Sequence, residues 1–413
     1  MPIRENRAGG AVVAHTRRVS LAARLVAVVT LVVALAGGPA AASTCPGAQV
    51  PPPPPAPAEL VAPAPAPLPW PAEPVGGPRL GACGDVATAD APPPPQVGAA
   101  AWVLADLDSG AVLAARAPHA RHRPASTLKV LTAVVALDRL DPEAVVEGTA
   151  ADLRIEGSRA GIGPGGRYTV RQLLAALLLN SGNDAANALA RAMGGPEPTV
   201  AAMNRTAREL GALDTRAATP SGLDGPGQAT SAYDLALLVR AALRDPVFAD
   251  LLATRGVDFP GHGGLAGFRM SNSSDLLLRY PGSVGSKSGF TEASRHTLVA
   301  AAQRDGRRLV VTLVRGEQRP VPMWRQAAAL LDHGFALPTG TSPVGRLVEG
   351  APRPVPGGPS APVTPAGPET TPAPGAVGAE PPAEGSRGPL PVALPVLLDG
   401  AVVAALVLRS RHR

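Results

Sequence analysis

The run AAWVLADLDSGAVLAARA, residues 100 to 117, places two apolar stretches on either side of Asp108-Ser109-Gly110, a pattern that predicts a β-hairpin. HTLVAAAQRDGRRLVVTLVRG, residues 296 to 316, repeats the design with Asp305-Gly306 in its turn. GSKSGFTEA, residues 285 to 293, leads directly into this second hairpin, which places Lys287 on a strand. MWRQAAALLDHGF that follows has its apolar positions at helical spacing and predicts an amphipathic helix. Between the hairpins, residues 126 to 140, 169 to 193 and 231 to 243 read as helices. Strands at both ends with helices between them predict an α/β chain of the α+β kind. Its antiparallel sheet is assembled from the two ends of the domain, with helices packed around it.

Outside this region the periodicity stops. Many of the 49 prolines crowd into residues 50 to 97 and 338 to 389, in segments such as PPPPPAPAELVAPAPAPLPWPAEP. Such segments cannot bury enough apolar surface to offset chain entropy, so residues 43–97 and 338–389 are expected to be extended spacers. One domain remains, residues 98–337. Ahead of it, Arg17, Arg18 and Arg24 flank the apolar run LVAVVTLVVALA, followed by Ala40-x-Ala42. This is the pattern of a secretory signal peptide over residues 1–42. At the other end, residues 390–408 are long and apolar enough for one membrane crossing, although Asp399 lies within them, and 409–413 read RSRHR. The expected arrangement is an exported domain at the outer face of the plasma membrane, held by a C-terminal anchor with a basic cytoplasmic tail. Cys45 and Cys83, the only cysteines, lie in the exported N-terminal segment, either as a disulfide or as two unpaired thiols. The net charge of +6 is carried by dispersed arginines without interleaved aromatics, so no nucleic-acid partner is expected.

Charge usage then singles out two positions. Of 38 basic residues only Lys129 and Lys287 are lysines. Arginine does not lose its proton in a protein, whereas a desolvated lysine does. Lys129 lies three residues after Ser126 in PASTLKVL, so both side chains share one helical face, with the hydroxyl at the positive end of the helix dipole. NSGNDAANALA sets Ser181-Gly182-Asn183 at a break between two helical runs. In KSGFT a glycine, Gly289, stands on a strand, which often marks close approach of a ligand or another backbone.

The ordered set S-x-x-K, S-x-N, K-[ST]-G resembles the signature of penicillin-binding proteins and class A β-lactamases. Over residues 98 to 337 the chain resembles the low-molecular-mass D-alanyl-D-alanine carboxypeptidases of serine peptidase family S11, flanking segments included. The resemblance implies Ser126 as acyl-accepting nucleophile, Lys129 as its base, Ser181 as proton relay and Asn183 as an orienting group. It implies Lys287, Ser288, Gly289 and Phe290 as the substrate-binding strand, with the amides of Ser126 and Phe290 as oxyanion hole. Peptidoglycan stem peptides ending in D-Ala-D-Ala would be substrates and β-lactams covalent inhibitors, with no metal or organic cofactor.

The sequence departs from the pattern in a few places. Ser288 replaces the commoner threonine, and Ser294 stands where the family often has glycine. An extra arginine of some relatives has two candidate counterparts, Arg319 and Arg325. Rival readings are a β-lactamase, a peptidoglycan endopeptidase, and a non-catalytic wall-binding scaffold. Glu197 and Glu209 follow the second motif without the E-x-x-L-N context a class A β-lactamase needs, and the middle motif reads Ser-Gly-Asn rather than Ser-Asp-Asn.

Overall fold

The computed structural model describes residues 65–351. A 3-10 turn (Pro78–Gly81) and strand β1 (Asp85–Ala87) precede the hairpin of β2 (Ala101–Asp106) and β3 (Ala111–Arg116). A second 3-10 turn (Ala125–Leu128) runs into α1 (Lys129–Arg139). The helical region continues with β4 (Val145–Glu147), α2 (Ala150–Leu153), β5 (Arg167–Thr169), α3 (Val170–Leu179), α4 (Asn183–Ala192), α5 (Pro196–Glu209), α6 (Ala232–Ala242) and α7 (Pro246–Ala253). A small hairpin of β6 (Gly256–Phe259) and β7 (Phe268–Ser271) and the short α8 (Asp275–Arg279) follow. The chain closes with β8 (Ser283–Thr291), β9 (Arg295–Arg304), β10 (Arg307–Gly316), α9 (Met323–Ala336) and β11 (Gly345–Arg346).

Seven strands form one antiparallel sheet in the order β1-β3-β2-β10-β9-β8, with β11 also paired to β3. Both ends of the domain therefore meet at the β2–β10 pair, as the two apolar hairpins predict. Their turns have the expected chemistry. Asp305 and Gly306 both sit at positive φ, 49° and 80°, which a two-residue hairpin turn of the favoured hand requires. In the other turn the Asp106 carboxylate accepts from the backbone N–H of Asp108 and Ser109.

Alternation along the strands divides the core between two faces. Val103, Val299 and Val310 point into the large cluster shared with α1, α3 and α6. Trp102, Leu298, Leu309 and Val311 point the other way, against α8 and α9. Helix α3 begins at a capping box, Thr169 with Gln172, and then runs LLAALLL without a polar side chain. It is consequently buried on every side and forms the centre of the helical layer.

The expected spacer boundaries are corrected at both ends. Val75, Leu80 and Val86 are buried in the large cluster. The carbonyls of Leu68 and Pro69 accept from the Arg121 guanidinium at 2.5 and 2.8 Å, and the Trp70 ring lies 3.7 Å from its centre. A proline-rich strand leaves its carbonyls free, so it can dock by accepting hydrogen bonds, a property that composition does not reveal. At the C-terminal side Val344 and Leu347 are buried and β11 joins the sheet, so the folded body extends past residue 337. Cys83 is disulfide-bonded. Cys45, the signal segment 1–42, the apolar segment 390–408 and the tail 409–413 lie outside the described residues. Among the described residues no helix is long and apolar enough to cross a membrane.

Candidate active site

Ser126 stands in the 3-10 turn, where residues i and i+3 eclipse one another. That stacking carries the Lys129 amine to 2.8 Å from the Ser126 hydroxyl. Lys129 Nζ also lies 2.7 Å from Asn183 Oδ1 and 2.6 Å from the carbonyl of Ser221. Asn183 is oriented by its own amide, which donates to the carbonyl of Glu156 at 2.7 Å and so turns the oxygen toward the lysine. The two oxygens of Asn183 and Ser221 can only accept. A neutral amine satisfies them with its two hydrogens and keeps its lone pair for the Ser126 O–H. A protonated one donates to all three oxygens. Lys129 is fully buried, and burial followed by the nearby Lys287 charge holds its pKa well below the ordinary lysine value.

The second lysine reaches in from the edge strand β8. Lys287 Nζ donates to Ser181 Oγ at 3.0 Å and to the Ser288 carbonyl at 2.6 Å. Burial lowers its pKa to about 7. Ser181 occupies the break between α3 and α4 at φ 59°, a left-handed conformation. All three sequence motifs thus converge on two lysine–serine pairs. Of the residues expected at the strand, Ser288 and Phe290 are exposed, while Lys287 and Gly289 face inward. The Phe290 ring packs against that of His296 across the strand pair, with centroids 4.5 Å apart.

Gly289 has the close approach its strand position suggested, and the neighbour is backbone. A Cβ there would lie 2.5 Å from the Ser126 nitrogen and 2.7 Å from Thr297 Oγ1. Thr297 in turn donates to the carbonyl of Pro124 at 2.8 Å, tying β9 to the chain just before the Ser126 turn. Ala125 takes φ 47°, a sparsely populated conformation for alanine, and the turn is held from the other side by Gly222. Sequence reasoning did not find Ser221, Thr297 or Asp184. The first acts through a backbone carbonyl 92 residues away, which leaves no side-chain signature. Among the described residues no hydrogen bond or ion pair joins Arg319 or Arg325 to these groups; the Arg325 guanidinium lies over the Trp324 ring, 5.2 Å from its centroid.

His119, Asp214 and Asp234 form the one cluster among the described residues with metal-ligand geometry. His119 and Asp214 are already partnered within the protein. His119 Nδ1 is 2.7 Å from Asp214 and Nε2 2.9 Å from the carbonyl of Val75, and Arg121 donates to Asp214 at 2.8 Å. Burial alone would lower the His119 pKa, but the Asp214 carboxylate, with Asp234 and the Val75 carbonyl, more than offsets it and the pKa is raised.

Comparison with known proteins decides the family. The profile of peptidase family S11, D-alanyl-D-alanine carboxypeptidase, matches residues 86–317. The chain belongs to this family. It is 50% identical over 257 residues to the D-alanyl-D-alanine carboxypeptidase DacB2 of Mycobacterium tuberculosis, covering 61% of this chain and 88% of that protein. The crystal structure of a D-alanyl-D-alanine carboxypeptidase from Mycobacterium tuberculosis superposes with a TM-score of 0.61 at 48% identity, covering 63% of this chain and 99% of that one. The Streptomyces K15 DD-transpeptidase gives 0.56 at 27% identity, covering 59% and 99%. This carboxypeptidase is a hydrolase of the penicillin-binding serine peptidase class, with the mixed helix and antiparallel-sheet fold of that class. The β-lactamase, endopeptidase and scaffold readings are not favoured.

Proposed function

We propose that the protein removes the terminal D-alanine from peptidoglycan stem pentapeptides through an acyl-enzyme on Ser126. The observation that carries the reading is the buried Lys129 amine, 2.8 Å from Ser126 Oγ and otherwise facing only acceptors. Ser126 attacks the penultimate D-alanine carbonyl while Lys129 takes its proton. The backbone N–H groups of Ser126 and Phe290 receive the developing oxyanion, an arrangement worth several kcal/mol in related acyl transfers, on the order of 3. As the intermediate collapses, Ser181 relays a proton to the leaving amine and Asn183 holds the substrate amide. Lys287 and the Ser288 hydroxyl bind the free carboxylate, and the absence of a side chain at Gly289 lets the substrate strand lie along β8. Water then releases the shortened stem peptide. The same acylation by a β-lactam gives a long-lived adduct.

An envelope location fits the family. The finer reading is export through the signal segment 1–42, cleavage near Ala42, and retention by a C-terminal anchor at 390–408. It is supported by the basic-then-apolar N-terminal pattern and by the terminal arginines. The proline-rich stretch between residue 351 and the anchor would act as the stalk.

The test is release of D-alanine from a peptide ending in D-Ala-D-Ala by the full chain and by Ser126→Ala. Release is expected from the first and absent from the second. Persistent release by Ser126→Ala would remove Ser126 from the chemistry, and rapid turnover of penicillin in place of a stable adduct would favour a β-lactamase.

A further inference from the structure

The residue after the S-x-N motif is a buried carboxylate outside the mechanism above. Asp184 has no exposed surface, and its partners are backbone amides. Its Oδ2 accepts from the N–H groups of Ala160, Gly161 and Ile162 at 2.9, 2.8 and 3.0 Å, and its Oδ1 from Ala160 and Ala185 at 2.9 Å each. The loop it grips is the one that faces Asn183. The Asn183 backbone N–H donates to Ser158 O at 2.7 Å, and its side-chain amide donates to Glu156 O at 2.7 Å. Asn180 adds a third bond to the same loop, at Arg159 O, 2.8 Å away.

From this geometry we infer that Asp184 is a positioning residue for the acylation step, acting through the loop 156–162 and Asn183 to hold the Lys129 amine on Ser126. The inference rests on the catalytic roles proposed for Ser126 and Lys129. The loop carbonyl at Glu156 decides which atom of Asn183 meets Lys129, and the Asp184 carboxylate decides where that carbonyl stands. The negative charge contributes separately. It favours the ammonium that Lys129 becomes on taking the serine proton, against the opposing effects of burial and Lys287.

The experiment measures the acylation rate constant with a fluorescent penicillin across pH, on the full chain, for wild type, Asp184→Asn and Gly157→Ala. The amide in Asp184→Asn turns a donor toward the loop N–H groups and removes the charge. Gly157 lies in the same loop beside Glu156 at φ 82°, and a Cβ there would lie 2.6 Å from Asn183 Nδ2. Misplacement on the order of 1 Å at a reacting group costs about 100-fold. Both variants are expected to lose about 10- to 100-fold in plateau rate, and in Asp184→Asn, which lacks the charge, the acid limb, where Lys129 becomes protonated, is expected to move to lower pH. A folded Asp184→Asn chain with the wild-type plateau and acid limb overturns the inference, even if its melting temperature falls. If Asp184→Asn does not fold, an unchanged profile in Gly157→Ala overturns it alone. Failure of the wild type to label at Ser126 would instead strike the catalytic reading on which the inference stands.

Discussion

At the scale of single residues, the site asks opposite things of its two lysines. In the proposed mechanism Lys129 is neutral to accept the serine proton, while Lys287 is charged to hold a carboxylate. Both are buried, and both have lowered pKa values, Lys287 to about 7. Activity at limiting substrate should therefore fall toward acid as Lys129 gains a proton, and toward alkali as Lys287 loses one. For Lys287 the sign is that affinity for the carboxylate is full below about pH 7 and weakens above it. Measured from pH 6 to 9, KM for a D-Ala-D-Ala peptide should rise above neutrality, and a flat KM would remove Lys287 from carboxylate binding. The same group affects stability. Its folded pKa of about 7 lies below the ordinary 10.5, so unfolding takes up a proton between those values. Its contribution to stability therefore rises with pH over that window. Lys287→Met should remove this slope and melt a few degrees higher near pH 7 while losing carboxypeptidase activity, which calorimetry at pH 7 and 9 would show.

At the scale of elements, the Ser126 turn is placed by β8 and β9 as much as by its own helix. Gly289→Ala would drive a methyl group into the Ser126 nitrogen and Thr297 Oγ1. Overpacking of this kind costs about 1–3 kcal/mol. The acylation rate should fall at least tenfold with the secondary structure intact by circular dichroism, and a Gly289→Ala chain acylating at the wild-type rate would contradict the close approach. The strands β2, β3, β8, β9 and β10, the helices α1, α3, α4, α6 and α9 and all three motifs were legible in the sequence, because period-2 and helical patterns and reactive side chains are local signals; α5 and the short strands were not predicted. The supports of the site were not. Ser221 contributes a carbonyl, Thr297 reaches back to Pro124, and Asp184 grips amides more than 20 residues earlier, so each role exists only after folding. The departure at Ser294 proves to be local. Its hydroxyl accepts from Thr291 N at 2.9 Å, and its own N–H donates to Thr291 Oγ1 at 3.0 Å, so it closes the turn between β8 and β9.

At the scale of the molecule, the proline-rich flanks misled because composition reports what a segment cannot bury alone, and not what it can dock against. Residues 65–97 place Leu80 and Val86 in the core and cap Arg121 and His119, while 338–351 add β11 and Leu347. A chain cut to residues 98–337 should therefore melt well below one spanning 65–351, by 5 °C or more at about 2–4 °C per kcal/mol lost. Equal melting temperatures would show that the docked segments contribute nothing to stability. The central claim concerns a single bond, between Ser126 Oγ and the acyl group. Its most direct test is peptide mapping by mass spectrometry after penicillin treatment of the full chain and of Lys129→Ala. The account predicts a penicilloyl adduct on the peptide containing Ser126 and a strongly reduced adduct in Lys129→Ala. An adduct on any other residue, or undiminished labelling without Lys129, would contradict it.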